Sequence, residues 1–163
     1  IKALNWYYYF QMLIGYQYTV LNRDGFHTAI LNFEREIELH TNYLRPRYLL
    51  NLYYYCIISF FEFKEYNNAL VWQQKFINHK SAQQFEELFL TMLIVSVILH
   101  YELENFELAE SLIKKTSRYY KKKGFKNESG KILISNLRIL NSAAKEDVNV
   151  IFKNLNEKLR NSK

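Results

Sequence analysis

Two ten-residue stretches, FFEFKEYNNA at residues 60–69 and HYELENFELA at residues 100–109, decide the fold of this chain. Each contains an aromatic residue followed three positions later by alanine. The same step occurs once more upstream of the first stretch, at the interval that separates the two stretches. The three steps are Phe26 with Ala29, Tyr66 with Ala69, and Phe106 with Ala109. A fixed period, here about 40 residues, predicts an array of structural repeats.

Apolar residues around these steps recur every three or four positions, as they do on one face of an amphipathic α-helix. Ile30, Phe33 and Ile37 form such a face in the first repeat, and Leu108 and Leu112 belong to the corresponding face in the third. This spacing predicts two helices in each repeat. The predicted helices span about residues 2–22, 26–40, 46–63, 67–79, 82–103, 107–122, 129–144 and 146–160.

The residues between the apolar faces are those expected at helix ends. Asn22 to Gly25 predicts a turn, because glycine adopts backbone conformations that other residues avoid. Pro46 suits the first turn of a helix, where its missing N–H is not needed. Ser81, followed three residues later by Gln84, resembles a capping box that satisfies free backbone donors.

The predicted fold class is therefore all-α, with antiparallel helix pairs as the repeating unit in one domain of residues 1–163. The repeats span about residues 2–40, 46–80 and 82–122, and a C-terminal pair spans about 127–160. This last pair lacks the aromatic-x-x-Ala step, as expected for a cap whose outer face meets water. The first residue is Ile1 and no secretory signal pattern follows it, which suggests a fragment of a longer protein.

The stretches 60–69 and 100–109 resemble the tetratricopeptide (TPR) repeat, and the resemblance covers roughly residues 10–120. It implies a right-handed α-solenoid in which the aromatic residue fills the space between two helices and alanine lets their backbones approach. The period of this chain exceeds the family's usual length of about 34 residues by more than one helical turn. The resemblance further implies a scaffold that binds peptides or other proteins, often as part of a larger signalling or regulatory protein.

The composition limits the class of protein. With 49% hydrophobic and 17% aromatic residues, the chain is too apolar for a disordered protein. It lacks a run of about 18 apolar residues, so we predict no membrane span. The single Cys56 lies in an apolar run and has no internal partner for a disulfide, which favours a reducing, cytoplasmic location.

We find no sequence support for catalysis, a cofactor or a metal site. The four histidines are His27, His40, His79 and His100. None of them has a spacing that would place it on one helix face with another histidine or with Cys56. The chain contains no H-E-x-x-H or C-x-x-C motif, no glycine-rich phosphate loop and no G-x-S-x-G turn. Cys56 is expected in the middle of a helix among apolar side chains, where a thiol is buried and unreactive.

A candidate binding groove follows from the resemblance, since the first helix of each TPR repeat lines the concave surface. The candidate residues are Tyr18, Asn22, Asn51, Tyr54, Phe61, Glu62, Tyr101 and Glu102, with Gln11, Leu21, Thr91 and Ile94 beside them. Aromatic side chains that combine apolar area with a polar tip are suited to protein recognition. The alternative is that the longer helices close the groove and bury these rings in the core.

Residues 114–126 form the strongest charge feature. The basic residues are Lys114, Lys115, Arg118, Lys121, Lys122, Lys123 and Lys126, with Tyr119, Tyr120 and Phe125 among them. Such a pattern suits phosphates and stacked bases, and the net charge of +6 agrees with an acidic partner. The structural interpretation, which we favour, is that these cations offset the helix dipole and cap exposed carbonyls.

These observations lead to one main functional hypothesis and two alternatives. The main hypothesis is a protein–protein interaction scaffold that holds a peptide or partner helix in the tyrosine-rich groove. The first alternative is binding of nucleic acid or an acidic partner through residues 114–126. The second is a spacer that either forms a homodimer or has a purely structural role.

Overall fold

The computed structural model describes residues 2–20, 22–126, 128–142 and 147–160, and within these ranges the chain is all-α, as predicted. The described residues form eight α-helices, two short 3-10 turns and no β-strand. The helices are α1 Lys2–Thr19, α2 Arg23–His40, α3 Pro46–Glu62, α4 Tyr66–Ile77, α5 Glu86–Glu102, α6 Phe106–Lys122, α7 Glu128–Ser142 and α8 Val148–Arg160. Every helix begins and ends within about four residues of its predicted bounds.

The chain divides into two compact units, Ile1–Phe85 and Glu86–Lys163, and the division falls just before α5, near the start of the third predicted repeat. In the first unit α1 packs on α2 and α3, and α3 packs on α4. In the second unit α5 packs on α6 and α7, and α7 also packs on α6 and α8. The two helices of each predicted pair, α1 with α2, α3 with α4, α5 with α6 and α7 with α8, therefore pack on each other.

Aromatic rings fill the interface between α1 and α2. The Trp6 ring stacks on the His40 ring at a centroid distance of 4.7 Å, and Phe10 lies 5.4 Å from Phe33. Trp6 is near the start of α1 and His40 is the last residue of α2, so the two helices run antiparallel. Each such ring pair stabilises the fold by about 0.5–1.5 kcal/mol beyond the burial of its surface.

The alanines of the aromatic-x-x-Ala steps are buried, as their packing role requires. Ala29 is 1% exposed, and Ala69 and Ala109 are 0% exposed. Ala109 belongs to an apolar cluster with Val97 of α5 and Leu137 of α7. The absence of a longer side chain at these positions lets the neighbouring helices approach closely.

The aromatic residues of the steps do not all have the expected role. Phe26 is 0% exposed, but Tyr66 is only half-buried and Phe106 is 39% exposed. The Tyr66 ring lies on Phe61, at 5.5 Å, and the Phe106 ring lies on Tyr101, at 5.6 Å. Because each ring rests on the end of the preceding helix, the expectation that it fills the space between helices is wrong for the second and third steps.

The turns before α4 and α6 occupy equivalent positions of the repeat and have the same backbone structure. Lys64 and Glu104 both have a φ of 59°, the left-handed conformation that ends many helices. In each turn the next N–H donates back to a helix carbonyl at 2.8 Å, from Glu65 to Phe60 and from Asn105 to His100. These bonds complete a Schellman motif, which satisfies the last carbonyls of the helix.

The predicted capping box at Ser81 is wrong. The Ser81 side chain makes no cap hydrogen bond, and residues 82–84 form a 3-10 turn before α5 begins at Glu86. The Gln84 N–H donates to the Ser81 carbonyl oxygen, and the Ser81 N–H donates to His79 Nδ1 at 3.2 Å. The backbone N–H groups of Ser81 and Gln84 therefore find acceptors within this tight turn, without a capping box.

Replacing Ala69 with leucine tests the packing of α4 on α3. Because Ala69 has no exposed surface, the larger side chain must displace its neighbours, and we expect a loss of about 1–3 kcal/mol of unfolding free energy. Val71→Leu is the matched control on the same helix, at a position that is 54% exposed. Urea denaturation measures both variants, and an Ala69→Leu protein as stable as the control would contradict the packing.

Candidate functional site

The candidate groove residues of the second repeat lie along one face of α3. This helix begins at Pro46, and Asn51, Tyr54 and Phe61 are spaced so that they fall on the same side of it. All three side chains are half-buried, and Glu62 at the end of the helix is exposed. The rings are neither fully covered nor fully free.

Neighbouring side chains hold this face in place. The Tyr54 ring lies 5.8 Å from the Tyr55 ring, and Phe61 packs on Tyr66. The Asn51 side chain partly offsets the rise that burial causes in the pKa of Tyr7 on α1, so the two side chains are neighbours. These contacts restrain the side chains of this face.

The other groove residues are distributed between the two units. Asn22 caps α2, with its Oδ1 accepting a hydrogen bond from the Gly25 N–H at 3.0 Å, so its side chain has a structural role. The Tyr18 side chain lies outside the described residues. In the second unit the half-buried Tyr101 supports Phe106, and Glu102 is exposed. Of the predicted set, the structure brings together the α3 residues.

The basic residues of 114–126 lie on α6 and in the segment that follows it. The buried residues of α6 recur at Ala109, Ile113, Thr116 and Tyr120, which leaves the lysines on the opposite, solvated side. All seven basic residues of the segment are exposed. The segment is therefore an amphipathic helix with a cationic outer face.

Two of these cations already have carboxylate partners. Lys114 Nζ lies 2.6 Å from Glu110, one turn earlier on α6, and this ion pair lowers the pKa of Glu110. Lys123 Nζ lies 2.6 Å from Glu86 at the start of α5, and this carboxylate raises the pKa of Lys123. The remaining exposed lysines make no ion pair with the described residues. They are Lys115, Lys121, Lys122 and Lys126.

The aromatic residues of this segment face the protein rather than the solvent. Tyr120 is 5% exposed and packs with Leu90 and Ile134. Tyr119 lies 5.2 Å from Phe89, and Phe125 lies 5.6 Å from Tyr120. Because these rings are used for packing, they are not presented for stacking on nucleic-acid bases. The exposed chemistry of the segment is its positive charge.

A polar cluster around Glu65 was not predicted from the sequence. Arg23 and His27 of α2 and Asn68 of α4 each place a side-chain nitrogen against the Glu65 carboxylate, with His27 Nε2 at 2.9 Å and Asn68 Nδ2 at 2.8 Å. The Glu65 side chain is 10% exposed. Arg23 and His27 are about 40 residues away from Glu65 in the sequence. The sequence indicates only that a glutamate precedes a predicted helix, and this does not reveal its partners on α2.

These contacts determine the ionisation of Glu65. Burial alone would raise the pKa of this carboxyl, but the hydrogen bonds from His27, Asn68 and Arg23 together lower it below its usual value. The carboxylate also lies at the start of α4, where the helix dipole favours a negative charge. Glu65 therefore links α2 to the start of α4 as an anion, which is a structural role.

Cys56 and the histidines fit structural roles. Cys56 lies within α3 and is 0% exposed, and burial raises the pKa of its thiol well above the usual value. Burial lowers the pKa of His79, as does nearby Lys80, and burial also lowers the pKa of His100. Among the described residues, no group of three or more His, Cys, Asp or Glu side chains is placed to hold a metal ion.

A comparison of the chain with family models, curated proteins and solved structures finds no match. The resemblance to TPR repeats therefore stays a prediction that rests on the residues themselves. None of the described helices has both the length and the apolar character needed to cross a lipid bilayer.

Replacing Glu65 with glutamine tests the link between α2 and α4. The pKa of Glu65 is lower in the folded than in the unfolded chain, so its charge adds stability above the unfolded pKa, about 4.3 for glutamate. That contribution is lost as the pH falls through the folded pKa. At pH 7 we expect Glu65→Gln to lose about 1–3 kcal/mol, and the difference from wild type to shrink on acidification.

The measurement is chemical denaturation at neutral pH and at a series of lower pH values. Glu62→Gln, which neutralises an exposed carboxylate nearby in the same turn region, is the control. Equal stability of the two variants at pH 7 would contradict the proposed role of Glu65.

Proposed function

We propose that this chain is a TPR-like helical-repeat scaffold that binds another protein, with a peptide or partner helix lying against the first helices of its repeats in a concave, tyrosine-rich groove. Two observations support a repeat arrangement of about three helix pairs and a C-terminal cap. The turns before α4 and α6 have the same left-handed residue, and the buried alanines recur at the period of the sequence. The proposal includes no catalytic role. The one cysteine, which is buried and free, supports a cytoplasmic location.

The observation that carries this proposal is the half-buried aromatic face of α3. Tyr54 and Phe61 lie seven residues apart, about two helical turns, on one side of α3. A partner helix or extended segment that lies along α3 would contact both rings. Both rings are restrained by an aromatic neighbour. A partner would gain contact with these rings at little cost in side-chain entropy.

The charge at the end of this face suggests what the partner presents. Glu62 is exposed and its carboxylate makes no ion pair with the described residues. A carboxylate at the edge of an apolar site favours partners that carry lysine or arginine there, chiefly through the association rate. We therefore propose a partner segment with apolar residues along one side and a basic residue at one end.

Replacement of Tyr54 with alanine tests this site. Loss of an aromatic contact within an interface commonly costs about 2 kcal/mol or more, so we expect an approximately 30-fold weaker affinity for the partner. Glu62→Gln should change the affinity only slightly and reduce its dependence on salt. The measurement is affinity capture from extracts of the source organism, followed by titration of the captured partner.

Tyr43→Ala is the matched control, because Tyr43 is 78% exposed and lies in the 3-10 turn before α3. This variant should retain the partner with wild-type affinity. The site on α3 would be excluded if folded Tyr54→Ala protein bound every captured partner as tightly as wild type.

A second candidate function is electrostatic binding of nucleic acid or an acidic partner by residues 114–126. The exposed lysines without an ion pair, Lys115, Lys121, Lys122 and Lys126, favour it. The packing of Tyr119 and Tyr120 disfavours recognition of bases, so any such binding would be insensitive to sequence. This interaction would weaken steeply with increasing salt.

Titration of labelled DNA and RNA at several salt concentrations tests this candidate. We expect weak binding that is lost at physiological salt, and a smaller salt dependence in Lys121→Gln/Lys122→Gln, since each lost phosphate contact reduces the log–log slope by roughly 0.9. Tight binding at physiological salt that this double variant abolished would favour nucleic-acid binding over the protein-binding function.

A further inference from the structure

Four exposed lysines follow the solvated side of α6 and the segment after it. Lys115 and Lys122 are seven residues apart, which places them on the same side of the helix and about 10 Å from each other along its axis. Lys121 precedes Lys122, and Lys126 follows the end of the helix. None of the four makes an ion pair with a described residue. We name these four residues the lysine row.

The aromatic rings of the same segment are used inside the protein. The Tyr119 ring lies 5.2 Å from the Phe89 ring and 5.9 Å from the Lys123 ammonium group, and its hydroxyl oxygen is buried. Phe125 is half-buried and lies 5.6 Å from the buried Tyr120. Proteins that bind single strands stack successive bases on exposed aromatic rings. None of the three rings in residues 114–126 is exposed, so the lysine row has no stacking surface beside it.

The charged groups of the row favour contact with phosphates over contact with base edges. Lysine acts as a compact point charge, whereas arginine makes the planar, two-pronged contacts that fix an orientation. Arg118 is the one arginine of the segment, and its Nε–H donates to the Lys114 carbonyl oxygen at 3.3 Å. The row is therefore expected to respond to the density of negative charge rather than to base identity.

Charge density distinguishes a duplex from a single strand. A duplex presents one negative charge per about 1.7 Å of its axis, so about six charges lie along the distance between Lys115 and Lys122. Each strand of the duplex contributes half of them. A single strand makes up for its lower charge density by stacking its bases on the protein, and the buried rings prevent that compensation here.

We propose that the lysine row binds duplex nucleic acid through its phosphates, in preference to single strands. This inference rests on the second candidate function, nucleic-acid binding by residues 114–126, and names its substrate class. Contact of all four lysines with phosphates predicts a log–log salt slope of about −3.6 for a B-form duplex and about −2.8 for a single strand. At about 50 mM salt, this difference corresponds to roughly tenfold tighter binding of the duplex.

Fluorescence anisotropy with a labelled DNA duplex of about 20 base pairs, and with each of its separate strands, tests the preference over a range of salt concentrations. We expect the wild type to bind the duplex more tightly than either strand at low salt. The double variant Lys115→Gln/Lys122→Gln should reduce the duplex slope by about 1.8, because two phosphate contacts are lost. Both side chains are exposed, so the fold should be retained.

Lys64→Gln/Lys80→Gln is the matched control, since it removes the same charge from two exposed lysines of the first unit. It should keep the wild-type slope, and an equal loss of slope in the control would assign binding to the net charge of the chain and overturn the proposal. Single strands that bind as tightly as the duplex would overturn the preference but leave the second candidate function in place. If neither probe binds at about 50 mM salt, that candidate function fails together with this inference.

Discussion

The structure depends on the close approach of consecutive helices at alanine. Ala29, Ala69 and Ala109 have almost no exposed surface, and each lies on the second helix of a pair. Helix axes commonly lie about 8–10 Å apart, and small side chains at the contact give the shorter distances. Because the alanines recur at a constant interval along the chain, this constraint fixes which face of each second helix is turned inward.

The turns follow from the same constraint. After α3 and α5 the chain reverses direction within three residues, so that Ala69 and Ala109 of the next helix pack against the preceding one. Lys64 and Glu104 adopt the left-handed conformation in these short turns. A residue other than glycine in this conformation costs roughly 1–2 kcal/mol, so packing and the two turn hydrogen bonds must compensate. Glu65 adds a polar link from the turn to α2.

The periodicity of the sequence predicted the helices and the buried alanines, because both depend on spacing along a single helix. It did not predict which neighbour covers a face. Met12 and Leu52 occupy equivalent positions and are similar in character, yet Met12 is 73% exposed and Leu52 is 0% exposed. Phe26 and Phe106 differ in the same way, since one ring enters the core and the other lies on the preceding helix. The candidate residues on α3 were predicted from their register in the repeat, whereas the Glu65 cluster depends on contacts between segments that are distant in the sequence.

Amide hydrogen exchange resolved by residue is the measurement that tests the alanine packing most directly. The Ala69 N–H donates to the Glu65 carbonyl at 3.0 Å and the Ala109 N–H to the Asn105 carbonyl at 2.9 Å, both in the first turn of a helix. First-turn amides commonly exchange fast because helix ends fray. If these two turns are held by packing, both amides will exchange as slowly as the centres of α3 and α5. Exchange as fast as that of an exposed helix end would contradict the account.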